Sequence, residues 1–443
     1  MRTAALHNLG CKVNSYETEA MQQLLEEAGY EIVPFHEKAD VYIINTCSVT
    51  NIADRKSRQM LHRAKKQNPD AVVVAAGCYV QAAAEELKAD LAVDVIIGNN
   101  KKQDLVPILE EYFKDKSDRS HVIEISETHE YERLSIHKIA DHTRAFLKIQ
   151  DGCNQFCSYC IIPYTRGRVR SRRPDEVVDE VRELAAAGYQ EVVLTGIHLS
   201  SYGVDFKEEE KKENLLSLIK QVHEVEGIRR IRLGSLEPRI ITEEFAQALA
   251  SMPKFCPHFH LSLQSGCDKT LKRMNRHYTT EEYAAGCEIL RRYFDNPAIT
   301  TDVIVGFPGE TEEEFEETKA FLERIGFYEM HIFKYSRRAG TRADRMPEQV
   351  PEQVKSVRSE VLLKLEKQMS KAYRESFSGK KKTVLLEEKT EIGGRAYMIG
   401  HTMEYVKAVV PYADNLKNKM TEGILKEALN DEVLLLDSRN FLN

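Results

Sequence analysis

No basic stretch followed by an apolar core opens the chain: Met1-Arg2-Thr3-Ala4-Ala5-Leu6 runs directly into His7-Asn8-Leu9-Gly10-Cys11-Lys12, without the signature of a secretory leader. Long hydrophobic runs are missing too. The longest uncharged stretch, residues 71–84, falls short of the ~20 residues a membrane-spanning helix needs, so a cytoplasmic protein with no membrane partner is expected. Nor does charge of one sign dominate. The formal net charge is -7, so nothing global announces a nucleic-acid partner, and any such surface must come from local patches. Without a leader, the nine cysteines read as ligands or reactive thiols in a reducing compartment rather than as disulfides. At 443 residues the chain has room for about three domains.

What is present is organised around Asp151-Gly152-Cys153-Asn154-Gln155-Phe156-Cys157-Ser158-Tyr159-Cys160. Its C-x3-C-x2-C spacing lets three thiols converge from one loop. Iron–sulfur clusters are held by cysteine thiolates, and a cubane takes four. Three ligands leave one iron open, and an open position is where a metal site does chemistry. Phe156 and Tyr159 shield the loop from solvent. A zinc site would need a fourth ligand, and neither His nor Cys stands in the following Ile161-Ile162-Pro163-Tyr164-Thr165-Arg166; a distant ligand, or three thiols that merely pack, are the alternatives. The triad resembles the signature of radical S-adenosylmethionine (SAM) enzymes, in which SAM chelates the open iron through its amino and carboxylate groups. The resemblance implies a 4Fe-4S cluster on Cys153, Cys157 and Cys160, these being the catalytic residues, and an electron donor such as flavodoxin or ferredoxin.

Upstream, over residues 1–115, strand and helix patterns alternate. Short strands read at 2–6, 41–45, 71–75 and 94–97 and helices at 17–28 and 52–66, which predicts an open, mostly parallel α/β sheet. Cys11, Cys47 and Cys78 each lie just beyond a strand's carboxyl end, the edge at which such sheets bind ligands. Any one of them read alone is a small buried hydrophobe; three at equivalent places favour a second three-thiolate cluster. Asn8-Leu9-Gly10-Cys11-Lys12-Val13-Asn14, Asn45-Thr46-Cys47-Ser48-Val49-Thr50 and Ala76-Gly77-Cys78-Tyr79-Val80-Gln81 are similar to the three motifs of the amino-terminal domain of methylthiotransferases, which holds an auxiliary 4Fe-4S cluster in that family. The basic face of the second helix, with Arg55, Lys56, Arg58, Arg63, Lys65 and Lys66, is either a solvated face or an RNA contact. Residues 116–140, charged and irregular, read as a linker.

Residues 141–373 carry six strand candidates, at 145–149, 191–195, 230–234, 258–263, 298–305 and 329–333, each followed by a helical stretch. Six βα units make a partial (β/α)6 barrel, with its site at the carboxyl ends of the strands. Thr195, Gly196, Ser235, Gln264, Asp302 and Gly306 fall on or beyond these strands. Glycine or serine there is often only a turn; the family resemblance, strongest at Gly306-Phe307-Pro308-Gly309-Glu310-Thr311 and supported by His260-Leu261-Ser262-Leu263-Gln264-Ser265-Gly266 and Met274-Asn275-Arg276, implies SAM contacts. Behind the cluster loop runs Arg166-Gly167-Arg168-Val169-Arg170-Ser171-Arg172-Arg173. Extended, its alternate arginines share one side, suited to RNA phosphates or to solvent; the resemblance favours RNA. Cys256, Cys267 and Cys287 match no cluster motif and read as structural.

Residues 374–443 break into five short strands with Gly and Asn turns, the pattern of a small all-β, OB-like barrel. The segment resembles the TRAM RNA-binding module that ends many methylthiotransferases. Lys380-Lys381-Lys382 is its candidate phosphate grip, although acidic and basic residues nearly balance across the tail.

Taken together, the chain resembles a tRNA methylthiotransferase along its whole length. The resemblance implies addition of a methylthio group to C2 of an adenine, with SAM and two 4Fe-4S clusters as cofactors. An aromatic C–H is far too weak an acid for side-chain base catalysis, so a radical route fits. Lys12-Val13 after Cys11, with Tyr16-Glu17-Thr18-Glu19, resembles the subgroup acting on N6-threonylcarbamoyladenosine beside the anticodon; the isopentenyladenosine subgroup tends to carry Gln-Met there. A third subgroup modifies an aspartate of a ribosomal protein. A non-catalytic iron–sulfur RNA-binding protein is the reading of a different class.

Overall fold

The computed structural model describes residues 1–136, 143–207 and 212–438; the end of the expected linker, the first two residues of the central region and residues 439–443 lie outside them. The amino-terminal part runs β1 (Thr3–Asn8), α1 (Lys12–Glu27), β2 (Glu31–Ile32), β3 (Val41–Thr46), α2 (Asn51–Gln67), β4 (Val72–Gly77), α3 (Cys78–Ala82), α4 (Ala84–Lys88), β5 (Val95–Ile97), α5 (Leu105–Lys114) and β6 (Ser120–His121). All its strands are parallel, in the order β2-β1-β3-β4-β5-β6. β3 and β4 sit centrally and are buried along their whole length, as β-branched runs covered by helices on both faces should be. α1 starts five residues earlier than its apolar pattern predicts, because Cys11 caps it in an extended conformation and Lys12-Val13-Asn14 form the first turn.

The central part comprises β7 (Arg144–Asp151), α6 (Ile162–Thr165), β8 (Arg170–Ser171), α7 (Pro174–Ala186), β9 (Glu191–Gly196), α8 (Leu215–His223), β10 (Arg230–Leu233), β11 (Ser235–Leu236), α9 (Glu243–Ala250), β12 (His258–Leu261), α10 (Asp268–Arg273), α11 (Thr280–Tyr293), β13 (Ala298–Val305), α12 (Glu312–Ile325), β14 (Glu329–Lys334) and α13 (Glu352–Glu375). All six expected barrel strands form. They lie in two sheets, β8-β7-β9-β10 and β11-β12-β13-β14, joined where Ile231 bridges to Phe255. Alternation sorts the side chains. Ala145, Leu147, Ile149, Val192, Leu194, Ile231, Leu233, Phe259, Leu261, Ile299, Val303 and Met330 pack against the helices in one apolar core. With a period of two, the intervening Lys148, Gln150, Glu191, Thr195, Arg230, Arg232, His258, His260, Thr300, Asp302 and His331 face inward. A closed eight-fold barrel fills that space with branched apolar side chains; here it is a polar chamber.

The barrel is open between β7 and β14, and the amino-terminal part spans the gap. On the β7 side Glu17 pairs with Lys148 (2.7 Å) and the Tyr16 hydroxyl donates to the Leu134 carbonyl (2.7 Å). On the β14 side Arg338 reaches Asp54 (2.6 Å), Asn51 (2.8 Å) and Ser48 (2.6 Å). The described part of the expected linker, residues 116–136, packs against both parts: β6 extends the first sheet, and Leu134 and Ile136 enter the central core.

The remaining strands, β15 (Lys381–Ile392), β16 (Arg395–His401), β17 (Lys407–Pro411), β18 (Met420–Ala428) and β19 (Leu434–Asp437), close into a barrel ordered β15-β16-β17-β19-β18. It docks beneath the amino ends of the central strands. Arg230 donates to the carbonyls of His401 (2.8 Å) and Thr383 (2.7 Å), Arg232 to that of Met403 (2.9 Å), and Arg144 pairs with Glu387 (3.0 Å). Tyr405, held at φ 70°, enters this floor with its ring 4.3 Å from that of His401 and 4.9 Å from that of His258.

Glu191 anchors the floor. Burial alone would raise its carboxyl, but hydrogen bonds and charge from Arg232, helped by Arg230 and Arg144, hold it at about 2. A depressed carboxylate contributes stability above its unfolded value near 4.5, lost as pH falls toward the folded value, here ~3 kcal/mol in all. Denaturant midpoints measured from pH 6 to about 2 should fall more steeply in wild type than in Glu191→Gln; equal slopes would place the acid sensitivity elsewhere.

A candidate site of two cysteine triads facing one chamber

Three loops converge at the first triad because two glycines allow it. Gly10 has φ 105°, and a Cβ there would lie 2.8 Å from both Cβ and Sγ of Cys47. Gly77 has φ 96°, and a Cβ would meet Asn45 Oδ1 at 2.6 Å and the Thr46 carbonyl at 2.7 Å. No L side chain fits either place. The Asn14 amide then ties the loops together, donating to the carbonyls of Leu9 (2.7 Å) and Thr46 (3.0 Å).

The second triad is clamped by the segment after α10. Ser158 donates through its amide to the Met274 carbonyl (2.9 Å) and through its hydroxyl to that of Arg273 (2.8 Å). Asn275, itself at φ 58°, donates to the Phe156 carbonyl (3.1 Å). Arg276 points a guanidinium N–H at Cys157 Sγ (3.2 Å). The signal for this clamp was the Met274-Asn275-Arg276 motif, whose role spacing alone does not reveal.

The thiols fit a cluster better than a single ion. Among the described residues, the trio of His, Cys, Asp or Glu ligand atoms lying within 4.8 Å of one another is His260, Asp302 and His331; neither cysteine triad is drawn in that far, whereas a cubane holds its thiolates apart. Donors are aimed at the sulfurs: Arg166 Nε at Cys78 (3.2 Å), Asn99 Nδ2 at Cys78 (3.6 Å), and the Gln155 amide at Cys153 (3.5 Å). Hydrogen bonds to thiolates are a means by which proteins tune such clusters. Burial pushes the Cys47 thiol up to about 12 and that of Cys153 to about 11, and raises those of Cys11 and Cys160. Such thiols ionise when a metal supplies the compensating charge. The His–Asp–His trio is no rival. His260 contacts Thr300 through Nδ1 (3.0 Å) and its Nε2 is paired with Asp302 (3.2 Å), so these two are already held by hydrogen bonds of their own, and the trio lies at the chamber wall away from the cysteine loop.

Between the triads lies a buried ionic lattice that the sequence did not reveal. Arg166 bonds Glu17 (2.8 Å), Asp151 (3.0 Å) and Asn14 (2.6 Å) in addition to Cys78. Lys148 reaches Glu17 (2.7 Å) and Asp151 (2.6 Å), and Lys102 reaches Glu17 (3.0 Å). Burial would raise both carboxyls, yet Arg166 and the lysines hold Glu17 and Asp151 well below the usual carboxylate range. With Arg170, which lies 3.6 Å from Asp151, four cations meet Glu17, Asp151 and a third buried carboxylate, Glu132, which accepts from the Lys102 amide. The one positive charge left over suits anionic thiolate clusters on either side.

This lattice corrects the expected row of RNA-facing arginines. Arg166 and Arg170 are fully buried, and Arg172 is nearly so, pairing with Glu180. The segment is folded under the first sheet rather than extended across a surface, so only Arg168 and Arg173 of the row are exposed. Likewise Lys381 pairs with Glu422 (3.0 Å) and Lys382 with Glu404, while Lys380 lies over the Phe377 ring. Of the residues expected to meet SAM, Thr195 and Gly196 end β9, Ser235 opens β11 and is exposed, and Gln264, at φ 73°, follows β12. Gly306 lies just past β13 at φ 70°, its amide donating to Glu310 (2.8 Å). These five share the rim with the cluster loop. Asp302 lies lower, inside the chamber, bound to His260. Cys256, Cys267 and Cys287 are buried.

A partial barrel with a three-cysteine loop after its first strand defines the radical SAM class, and residues 147–322 match the Radical SAM superfamily, with residues 3–98 matching the family described as Uncharacterized protein family UPF0004. The chain belongs to the radical SAM methylthiotransferase family. It is 43% identical to the threonylcarbamoyladenosine tRNA methylthiotransferase MtaB of Bacillus subtilis over 95% of this chain and 93% of that protein, and 42% identical to the MtaB of Aquifex aeolicus over 88% and 93%. The tRNA-2-methylthio-N(6)-dimethylallyladenosine synthase of Moorella thermoacetica is 38% identical over 87% of each. Among solved structures, the radical SAM methyltransferase TsrM of Kitasatospora setae shares the fold, with a TM-score of 0.58 and 17% identity over 77% of this chain and 74% of that one. Among the described residues, no helix is long and apolar enough to cross a membrane.

Proposed function

We propose that this enzyme adds a methylthio group to C2 of N6-threonylcarbamoyladenosine beside the anticodon of tRNA. The observation that carries the reading is the meeting of two cysteine triads at one polar chamber, in a chain 43% identical to an enzyme named for that nucleoside. Cys153, Cys157 and Cys160 would hold one 4Fe-4S cluster and Cys11, Cys47 and Cys78 a second. When bound, these clusters and SAM supply the one-electron cleavage and the sulfur that an unactivated aromatic C–H requires.

The rest is the work of this chain's side chains. Thr195, Gly196, Ser235, Gln264 and Gly306 offer SAM polar groups along the rim beside the Cys153 loop. Arg276 and Arg166 donate to thiolates of the two triads, fixing their orientation. The inward face of the strands supplies donors and acceptors to a base and keeps apolar competitors out. Exposed Arg168 and Arg173 and half-buried Lys380, with the closed carboxy-terminal barrel read as a TRAM domain, supply phosphate contacts outside the chamber, and a flavodoxin or ferredoxin supplies electrons in the cytoplasm.

The test is a nucleoside digest of bulk tRNA from a strain lacking this protein, compared with its parent by mass spectrometry. Loss of 2-methylthio-N6-threonylcarbamoyladenosine with a rise in its precursor is expected. Loss on dimethylallyladenosine instead would move the substrate, and no change in either would overturn tRNA as the target.

A further inference from the structure

Lys12 stands where the three parts of the molecule meet. It follows Cys11 at the start of α1, and its side chain is exposed at its surface yet enclosed enough that burial, then the charges of Arg232 and Arg144, lower its ammonium from the usual lysine range. Its ammonium lies 5.9 Å from the centre of the Phe146 ring on β7, within charge range of Arg232, Arg144 and Glu191. Among the described residues it makes no hydrogen bond or ion pair.

Its neighbours are already committed. Arg144 pairs with Glu387 (3.0 Å), and Arg232 with Glu191 (2.8 Å). Arg230 lies 3.6 Å from the same Glu191. Glu404 is taken by Lys382. His401 shares Glu387 (2.8 Å), and Tyr405 lies between Arg144 and Arg232, 5.0 and 4.7 Å from their guanidinium carbons. Lys12, Arg144, Arg230 and Arg232 thus share two carboxylates, Glu191 and Glu387, and the cation left over is the one with the exposed side chain. A flexible ammonium at the wall of a chamber with surplus positive charge is a receptor for an anion.

We infer that Lys12 is a specificity-determining residue that pairs with a carboxylate carried on the N6 substituent of the substrate adenine, placing C2 of the ring between the two cysteine triads. The inference rests on the substrate reading above. A threonylcarbamoyl group carries such a carboxylate; a dimethylallyl group is neutral and would gain nothing from an ammonium. The distance along the chain supports the geometry: the residue next to Lys12 is a thiol of the first triad, so an anion held by Lys12 brings the adenine to that thiol's side of the chamber.

The experiment uses cluster-loaded enzyme and a synthetic anticodon stem-loop RNA bearing N6-threonylcarbamoyladenosine, with the free nucleoside and its methyl ester as competing inhibitors. Wild type is expected to be inhibited about ten-fold more strongly by the acid than by the ester, the scale of a charge-assisted hydrogen bond. In Lys12→Met that preference should vanish and KM for the RNA should rise about as much, with a smaller change in kcat; Lys12→Arg should recover both. Iron content equal to wild type in each variant separates this effect from loss of the Cys11 cluster. A preference surviving in Lys12→Met, or absent from wild type, overturns the assignment of Lys12 alone. No methylthiolation of the RNA by wild type overturns the substrate reading, and the inference with it.

Discussion

Arg166→Met should destabilise the protein by roughly 3–5 kcal/mol, because it strands two buried carboxylates without their main partner. The side chain is fully buried and meets Glu17, Asp151, Asn14 and Cys78 together. Removing its charge takes away the largest of the interactions that lower Glu17 and Asp151, so both carboxyls rise, opposed only by Lys148, Lys102 and Arg170. Lysine is no substitute, since a point ammonium cannot reach four groups in four directions. The check is a urea melt of Arg166→Met and Arg166→Lys beside wild type. An unchanged midpoint in Arg166→Met would show that the lattice contributes nothing net to stability, as some buried ion networks do not. A second readout is local: the Asp151 end of the lattice precedes Gly152-Cys153 directly, so iron occupancy should fall in the variant even at temperatures where it remains folded.

Cys157→Ala should remove roughly half of the iron, leaving about four atoms per chain if each triad holds one cubane, and should abolish release of 5'-deoxyadenosine from SAM. Cys157 is the thiol toward which Arg276 donates (3.2 Å), and it is half-buried at the chamber rim. Iron analysis and nucleoside chromatography on the reduced enzyme measure both effects. A variant that still cleaves SAM would remove the Cys153 loop from the chemistry, and one that loses all its iron would make the two triads one assembly.

Much of this architecture can be read from residue order. Strand periodicity locates the six barrel strands because each buries one face in an apolar core, and the cysteine triads fall at strand ends where parallel sheets place their sites. What escapes is long-range pairing. Arg166 and Arg172 look like members of a phosphate-facing row, but whether an arginine meets solvent or a carboxylate depends on which distant element packs over it. Glu17 is 149 residues from Arg166, and nothing local to either announces the other. Lys12 illustrates the reverse case: its neighbours in sequence mark a subgroup, while its lack of a hydrogen bond or ion pair among the described residues shows only once Arg144 and Arg232 have been matched with theirs.

The carboxy-terminal barrel closes the chamber's floor with Tyr405, and the amino-terminal sheet closes its open side. Among the described residues, the rim beside the Cys153 loop is left as the entrance. A planar base cannot pass that rim while stacked between its neighbours in an anticodon loop. It must be rotated outward, so the RNA gives up stacking of a few kcal/mol at the modified position, and the enzyme recovers it from contacts deep in the chamber. Anticodon loops whose purine is already loosely stacked would therefore be modified first.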